Sequence, residues 1–227
     1  MDARAYLSHT GLTADLGAIR EAQQSLWGIL EEAKKQSLPA TPSALNALYL
    51  YRVPKLSTDG SCSLHDELDP TPYDLGAALG GRSVQNSFSL LTVSALVNEV
   101  ASQTQLPWLG AYQVRGALLV KLAYRGAESR AEFPLTDAFE KQSTNVRVAR
   151  SGKASLVDDV KAHVKNGGAY YECDPKVQSE LCVPILDPNA HVVGILDAEA
   201  FEPGAFTSAR VAALVALALE LPTHLPR

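Results

Sequence analysis

Two apolar runs near the C-terminal end limit most strongly what this chain can fold into. Leu181 to Leu186 and His191 to Leu196 flank the turn Asp187-Pro188-Asn189-Ala190. They read as a hairpin, and Val192-Val193-Gly194-Ile195-Leu196 lacks the alternation of a half-wetted strand, so it must be covered on both faces. Asp197 and Glu199 end that strand two residues apart and therefore share one face. Ser179-Glu180 opens the first run, and Cys173 lies seven residues before Glu180. A buried carboxylate without a partner is costly. One thiol and three acids gathered around covered strands therefore need a reason beyond packing.

The rest of the chain supplies layers for that hairpin. Asp15 can cap a helix running to about Ser37, with Leu16, Ile19, Leu26, Ile29, Leu30 and Ala33 on one face. Leu45 to Val53 is open to either strand or short helix, and Ser57 to Pro72, rich in Ser, Asp, Pro and Gly, reads as a loop. Gly80-Gly81 breaks the chain before a helix from Asn86 to Thr104, with Phe88, Leu91, Ala95, Val97 and Val100 as expected core positions. Trp108 to Val114 reads as a strand, and Gly116 closes it into a second, Leu118 to Tyr124. Val146 to Arg150 and Ser155 to Val157 are short strand candidates. Asp158-Asp159 starts a short helix through Val164, stopped by Asn166-Gly167-Gly168. Thr207 caps a C-terminal helix that ends before Pro222. The order helix, hairpin, mixed middle, hairpin, helix predicts an α+β fold: an antiparallel sheet with helices packed on one face. Residues 1–85 form a mainly helical N-terminal extension and 86–227 the principal domain.

Composition excludes several function classes. A chain of 227 residues fits one domain of roughly 130–150 residues plus an extra segment. A net charge of −5 with interspersed signs predicts no nucleic-acid partner. The longest apolar run, Val211 to Leu219, is too short to span a bilayer, so no membrane partner is expected. Cys62, Cys173 and Cys182 do not make a disulfide framework, and Met1-Asp2-Ala3-Arg4 is not a secretory leader, so the expectation is a cytoplasmic protein with reduced thiols. The five histidines show no HxH or HExxH spacing, and no metal is expected. Gly167-Gly168 lacks the rest of a phosphate-loop pattern.

Four segments carry a family resemblance: the helix Ser89 to Ser102, Trp108-Leu109-Gly110-Ala111-Tyr112, Ser179-Glu180-Leu181-Cys182-Val183-Pro184-Ile185 and Val193 to Phe201. Together they resemble a GAF domain over roughly residues 86 to 221, and more narrowly the free methionine-(R)-sulfoxide reductases. The resemblance implies a GAF-like sheet holding a closed cavity for the free amino acid. Cys173, at the family spacing before Glu180, matches its nucleophile. Trp108 and Tyr112 match its substrate-enclosing pair, and Asp197 and Glu199 its two acids, with Glu in place of the second Asp. The family carries further cysteines upstream; here Arg125 to Val148 has none, and Arg130 stands about where one would fall.

The chemistry implied is thiol attack on a sulfoxide, with an acid to protonate the departing oxygen and a second thiol to resolve the sulfenic acid. Cys173 would be the nucleophile, Glu180 the acid, Asp197 and Glu199 the ammonium binders, and Trp108 and Tyr112 the walls of the methyl-thioether end. Lys176 and His163 are the candidates to lower the thiol's pKa. The reductant would be an external thiol such as thioredoxin or glutathione, with no cofactor. Cys62, in a polar loop, could reach the pocket mouth only if the N-terminal segment folds over it, and Cys182 reads as a core residue. Bland readings stand beside these: Trp108 and Tyr112 as ordinary core, Asp197 and Glu199 as an exposed strand end, and the whole as a non-catalytic GAF small-molecule-binding module. The apolar face of the first long helix also allows a homodimer.

Overall fold

The computed structural model describes residues 1–35, 38, 41–57 and 64–227. The chain opens with helices α1 (Ala3–Thr10) and α2 (Leu16–Lys34). Asp15 caps α2 as expected, its carboxylate accepting from the Ala18 amide at 2.8 Å. Short elements follow: α3 (Pro42–Ala47), β1 (Leu50–Tyr51), β2 (Pro54–Lys55), β3 (Leu64–Leu68), β4 (Tyr73–Asp74) and α4 (Leu75–Ala78). The stretch open to strand or helix is thus both, α3 running into β1. The expected loop over 57–72 contains strand β3, which pairs with β2. Its polar centre, His65-Asp66-Glu67, hides it from an apolar-run criterion. Cys62 lies outside the described residues.

Helix α5 (Val84–Thr104) starts just after Gly80 and Gly81, whose φ values of 73° and 132° suit glycine. Its buried face is Leu90, Val93, Leu96, Val97 and Val100. Phe88 is exposed and Leu91 and Ala95 only partly covered, which corrects the expected core face. Apolar residues occur nearly all round this helix, so periodicity alone does not select a side.

The remainder forms the sheet and its covers: β5 (Trp108–Arg115), β6 (Leu118–Arg125), β7 (Glu132–Pro134), α6 (Asp137–Glu140), α7 (Thr144–Ser151), β8 (Ser155–Val157), α8 (Val160–Lys165), β9 (Ser179–Leu186), β10 (Val192–Ala200) and α9 (Ser208–Glu220). Six strands order as β7-β6-β5-β10-β9-β8, every neighbour antiparallel. Both expected hairpins are present, and β10 sits between β5 and β9. Val146 to Arg150, expected as a strand, lies instead within α7. Ser143 caps that helix and Gly152, at φ 67°, ends it, and these stop signals outweigh the strand preference of Val146 and Val148.

Period-2 alternation divides the sheet into two faces. Leu109, Ala111, Val120, Leu181, Val183, Ile185, Leu196 and Ala198 join one core with α2, α5 and α9, the expected helical layer. The apolar face of α2, with Ile19, Leu26 and Leu30, is used here within the chain. On the opposite face α7 lies across β9 and β10, and Trp108, Tyr112, Leu119, Cys182 and Ile195 pack with Val146. Among the described residues no helix is long and apolar enough to cross a membrane.

Candidate functional site

The register of β10 assembles the acids. Glu199 stands opposite Glu180 on β9 and Trp108 on β5; Asp197 stands opposite Cys182 and Gly110; Ile195 stands opposite Tyr112. Alternation then puts Glu180, Asp197, Glu199, Trp108 and Tyr112 on the face away from the three long helices, where all five line one cavity. Carboxylate oxygens of the three acids lie within 4.8 Å of one another. Gly110 is what lets Trp108 lie along the sheet, because a Cβ there would collide with the indole ring. The Trp108 Nε1 donates to the Ala127 carbonyl at 3.0 Å.

The other walls come from loops and from the start of α7. Asn145 donates its Nδ2 to Asp197 Oδ2 at 2.8 Å, and Thr144 lies beside Glu180. Arg130, Tyr171 and Cys173 close the outer side. As it stands the cavity is small, with about 20 Å³ open to the centre of a water-sized sphere. That is room for about one water. A larger ligand requires a wall to move, and Arg130, Tyr171 and Cys173 all sit outside regular elements.

Cys173 is half-buried and also lines a second, outer groove with Leu68, Glu128 and Lys176. Its side chain therefore borders the acid cavity and a separate surface depression. Of the two groups expected to act on it, Lys176 lines the outer groove. The His163 ring lies 3.3 Å from the Ala169 carbonyl and is not part of either lining. Cys182 is fully buried beside the acids, and burial pushes its thiol well up.

Burial governs the electrostatics. It pushes Glu180 up to about 8, the neighbouring Asp197 adds to this, and Tyr170, Thr144 and Arg147 partly offset it. Asp197 rises to about 6, again by burial, opposed by the Asn145 hydrogen bond and by Lys121. Glu199 is held well above the usual range by burial and then by Asp197 and Glu180. Glu199 keeps some exposure, but two acids beside it push in the same direction. The cluster therefore holds protons at neutral pH. Buried oxygens Glu180 Oε1, Asp197 Oδ1 and Asn145 Oδ1 have no hydrogen-bond partner among the described residues. Such oxygens call for a donor or a cation. An ammonium would satisfy them, and an all-oxygen set of this kind also suits a hard divalent cation.

Sequence reasoning missed Lys121, which is fully buried and donates its Nζ to Ser129 O at 2.8 Å and Ser129 Oγ at 2.7 Å. It lies 4.0 Å from the Tyr124 ring centroid. A single Lys inside the apolar run Leu118 to Leu122 was the available signal. Asn145 and Arg147 were hidden by the strand reading of their segment. Tyr170 and Tyr171 carried no pattern of their own.

The GAF domain family model matches residues 88–221. The type II free methionine-R-sulfoxide reductase from Thermoplasma acidophilum aligns with a TM-score of 0.54 at 20% identity, over 62% of this chain and 94% of that one. The free methionine-R-sulfoxide reductase from Neisseria meningitidis, solved in complex with its substrate, aligns with a TM-score of 0.52 at 19% identity, over 77% of this chain and 95% of that one. The GAF domain from Acinetobacter phosphoenolpyruvate-protein phosphotransferase gives 0.49 at 18% identity, over 60% and 80%. At these identities the likeness is one of fold. No curated protein matches the sequence.

Proposed function

Because this chain belongs to the GAF domain family, we propose that its acid cavity reduces free methionine-(R)-sulfoxide, with Cys173 as nucleophile and an external thiol as reductant. The observation that carries the reading is that Cys173 lines the same cavity as three carboxylates, Trp108 and Tyr112. In the proposed reaction Asp197 and Glu199 take the substrate ammonium, and the two aromatic rings wall the methyl-thioether. Glu180, held protonated by burial, donates to the sulfoxide oxygen. The Cys173 thiolate attacks sulfur to form an S–S bond, the protonated oxygen then passes to the Cys173 sulfur as the substrate S–O bond and that S–S bond break, and methionine leaves with a sulfenic acid on Cys173. One external thiol then forms a mixed disulfide and releases water; a second regenerates Cys173 and leaves as the oxidised disulfide. The outer groove at Cys173 supports this, since it offers a thiol access from the side away from the acids. Residues 86–227 carry the cavity in this reading, and the extension 1–85 braces it.

The direct test supplies methionine-(R)-sulfoxide and dithiothreitol and follows free methionine. Formation no faster than with Cys173→Ser would sink the proposal. A second reading, a non-catalytic ligand-binding module, is favoured by one feature: Arg125 to Val148 holds no cysteine. It predicts a calorimetric signal for methionine or its sulfoxide with no turnover.

A further inference from the structure

We propose that Glu180, Asp197 and Glu199, with the side-chain carbonyl of Asn145, bind a hard divalent cation of calcium's class, and that this ion competes with the amino acid for the cavity. The cation site stands on the geometry alone; the competition rests on the amino-acid reading above. Among the described residues, the three acids are the one group of three or more acid, thiol or imidazole side chains whose ligand atoms lie within 4.8 Å of one another. Oxygens held by a calcium ion at about 2.3–2.6 Å stand at most about 4.6–5.2 Å apart, so these carboxylates reach a common centre with little movement. The histidine spacing that gives no expectation of a metal does not bear on an all-oxygen site.

Convergence of acids is not enough, because protons can relieve it. The second observation is a set of buried oxygens that nothing in the fold satisfies. Asn145 Nδ2 donates to Asp197 Oδ2 at 2.8 Å. That bond leaves Asn145 Oδ1 and Asp197 Oδ1 without a partner among the described residues, and Glu180 Oε1 has none either. All three residues are more than nine-tenths buried, and all line the same cavity as Glu199. Carboxylate and amide carbonyl oxygens are the ligands that a hard cation takes. Positive charge already faces the cluster: Lys121 acts on Asp197 and Glu199, and Arg147 on Glu180. Their bonds run to Ser129 and to Thr144 and Ala169, and Arg130 donates to the Glu132 carbonyl and the Tyr171 hydroxyl. The orphan oxygens stay unbonded. Size agrees as well. About 20 Å³ open to the centre of a water-sized sphere admits one ion at once, whereas an amino acid needs a wall to move. Because the substrate ammonium would use the same oxygens, ion and amino acid exclude each other.

The test is calorimetry on the chelator-treated full chain, with calcium chloride and magnesium chloride as separate probes. One saturable site with a Kd of about 10⁻⁴ M or tighter is expected for at least one of them. Asp197→Asn, which keeps the shape, should weaken it by at least about tenfold. Should that variant fail to fold, Glu199→Gln takes its place under the same criterion. No saturable site at millimolar concentrations of either ion, or an affinity unchanged in the variant, overturns the proposal. L-methionine sulfoxide is then titrated with and without the ion. At ten times the ion's Kd the apparent affinity for the amino acid should fall by about tenfold. Ion binding with no amino-acid binding would sink the amino-acid reading and leave the cation site standing, and amino-acid binding with no ion binding would do the reverse. Binding of both without mutual weakening overturns the placement of the ion on these acids.

Discussion

Replacing Glu180 by Gln should make the protein more stable in mild alkali, contrary to the usual effect of altering a buried site residue. Burial and Asp197 raise the Glu180 carboxyl from 4.5 to about 8. A group whose folded pKa lies above its unfolded value adds stability that is complete below the unfolded pKa and is lost as pH rises through the folded one, because the folded state binds the extra proton. At about 1.4 kcal/mol per unit the full shift corresponds to roughly 5 kcal/mol. The three acids share protons, so a loss of about 2–5 kcal/mol between pH 5 and 8.5 is expected for the wild type. Asp74 and Asp187 are shifted downward, and their contributions are lost only as pH falls below this window. Gln keeps the shape and cannot ionise, so Glu180→Gln should remove the Glu180 share of the slope and leave the share of Asp197 and Glu199. At pH 8.5 it should melt above the wild type by about 5–15 °C, on the scale of 2–4 °C per kcal/mol for a chain of this size. The assay is thermal unfolding by circular dichroism across that pH range at constant ionic strength. Wild-type stability that is flat or rising with pH, or an equal slope in both proteins, would refute the assignment of protons to this cluster.

Three further outcomes are expected. Turnover of methionine-(R)-sulfoxide should fall as pH rises through about 8, where Glu180 ionises, and Glu180→Gln should lower it by about 10²–10⁴-fold while calorimetric binding persists; an activity still climbing at pH 9.5 would remove Glu180 as the acid. A single turnover without added thiol should leave a sulfenic acid on Cys173 that dimedone traps, seen by mass spectrometry and retained in Cys182→Ser; a disulfide to Cys182 would contradict the external-thiol scheme. Gly110→Ala should drive the Trp108 ring off the sheet, costing about 1–3 kcal/mol and shifting tryptophan fluorescence, so an unmoved spectrum and melting point would show that Gly110 does not set the ring.

How much of this could be read beforehand depended on whether local pattern and tertiary context agreed. The β9–β10 hairpin, the caps at Asp15, Asp159 and Thr207, and the shared face of Asp197 and Glu199 all follow from spacing and side-chain type, and all are present. Asp197 is 3% exposed within β10, so it is no exposed strand end. Failures came where two signals competed. Valines argued for a strand at Val146 to Arg150 while Ser143 and Gly152 argued for a helix, and the caps prevailed. Because that helix was missed, Asn145 and its bond to Asp197 were missed as well. Helix α5 carries apolar residues on too many sides for its face to be read, and β3 carries too few for a strand. The pocket was half legible: its acids punctuate an apolar hairpin, whereas Arg130 sits in an ordinary polar loop that only the fold brings to the cavity wall.

Lys121 ties the N-terminal extension to this chemistry, and its removal should show the link. Its side chain is fully buried, and its charge draws Asp197 and Glu199 downward against their burial. The extension covers it: the Tyr51 hydroxyl donates to the Lys121 carbonyl at 2.9 Å, the Tyr51 ring lies 5.2 Å from Nζ, and the Tyr73 hydroxyl reaches Glu132 Oε1 at 2.5 Å. By excluding water the two tyrosines keep the lysine's field strong across the strand. Lys121→Met deletes the cation with little change in bulk. At pH 5 the acids are largely protonated and gain little from Lys121, so the cost should be near that of the lost Ser129 hydrogen bonds, about 1–2 kcal/mol. As pH rises the acids ionise without their counter-charge, and the cost should grow toward about 3–5 kcal/mol by pH 8.5. Denaturant titrations of both proteins at the two pH values measure the difference. A pH-independent cost would mean that Lys121 only fills space, and that the extension braces the sheet without tuning the acids.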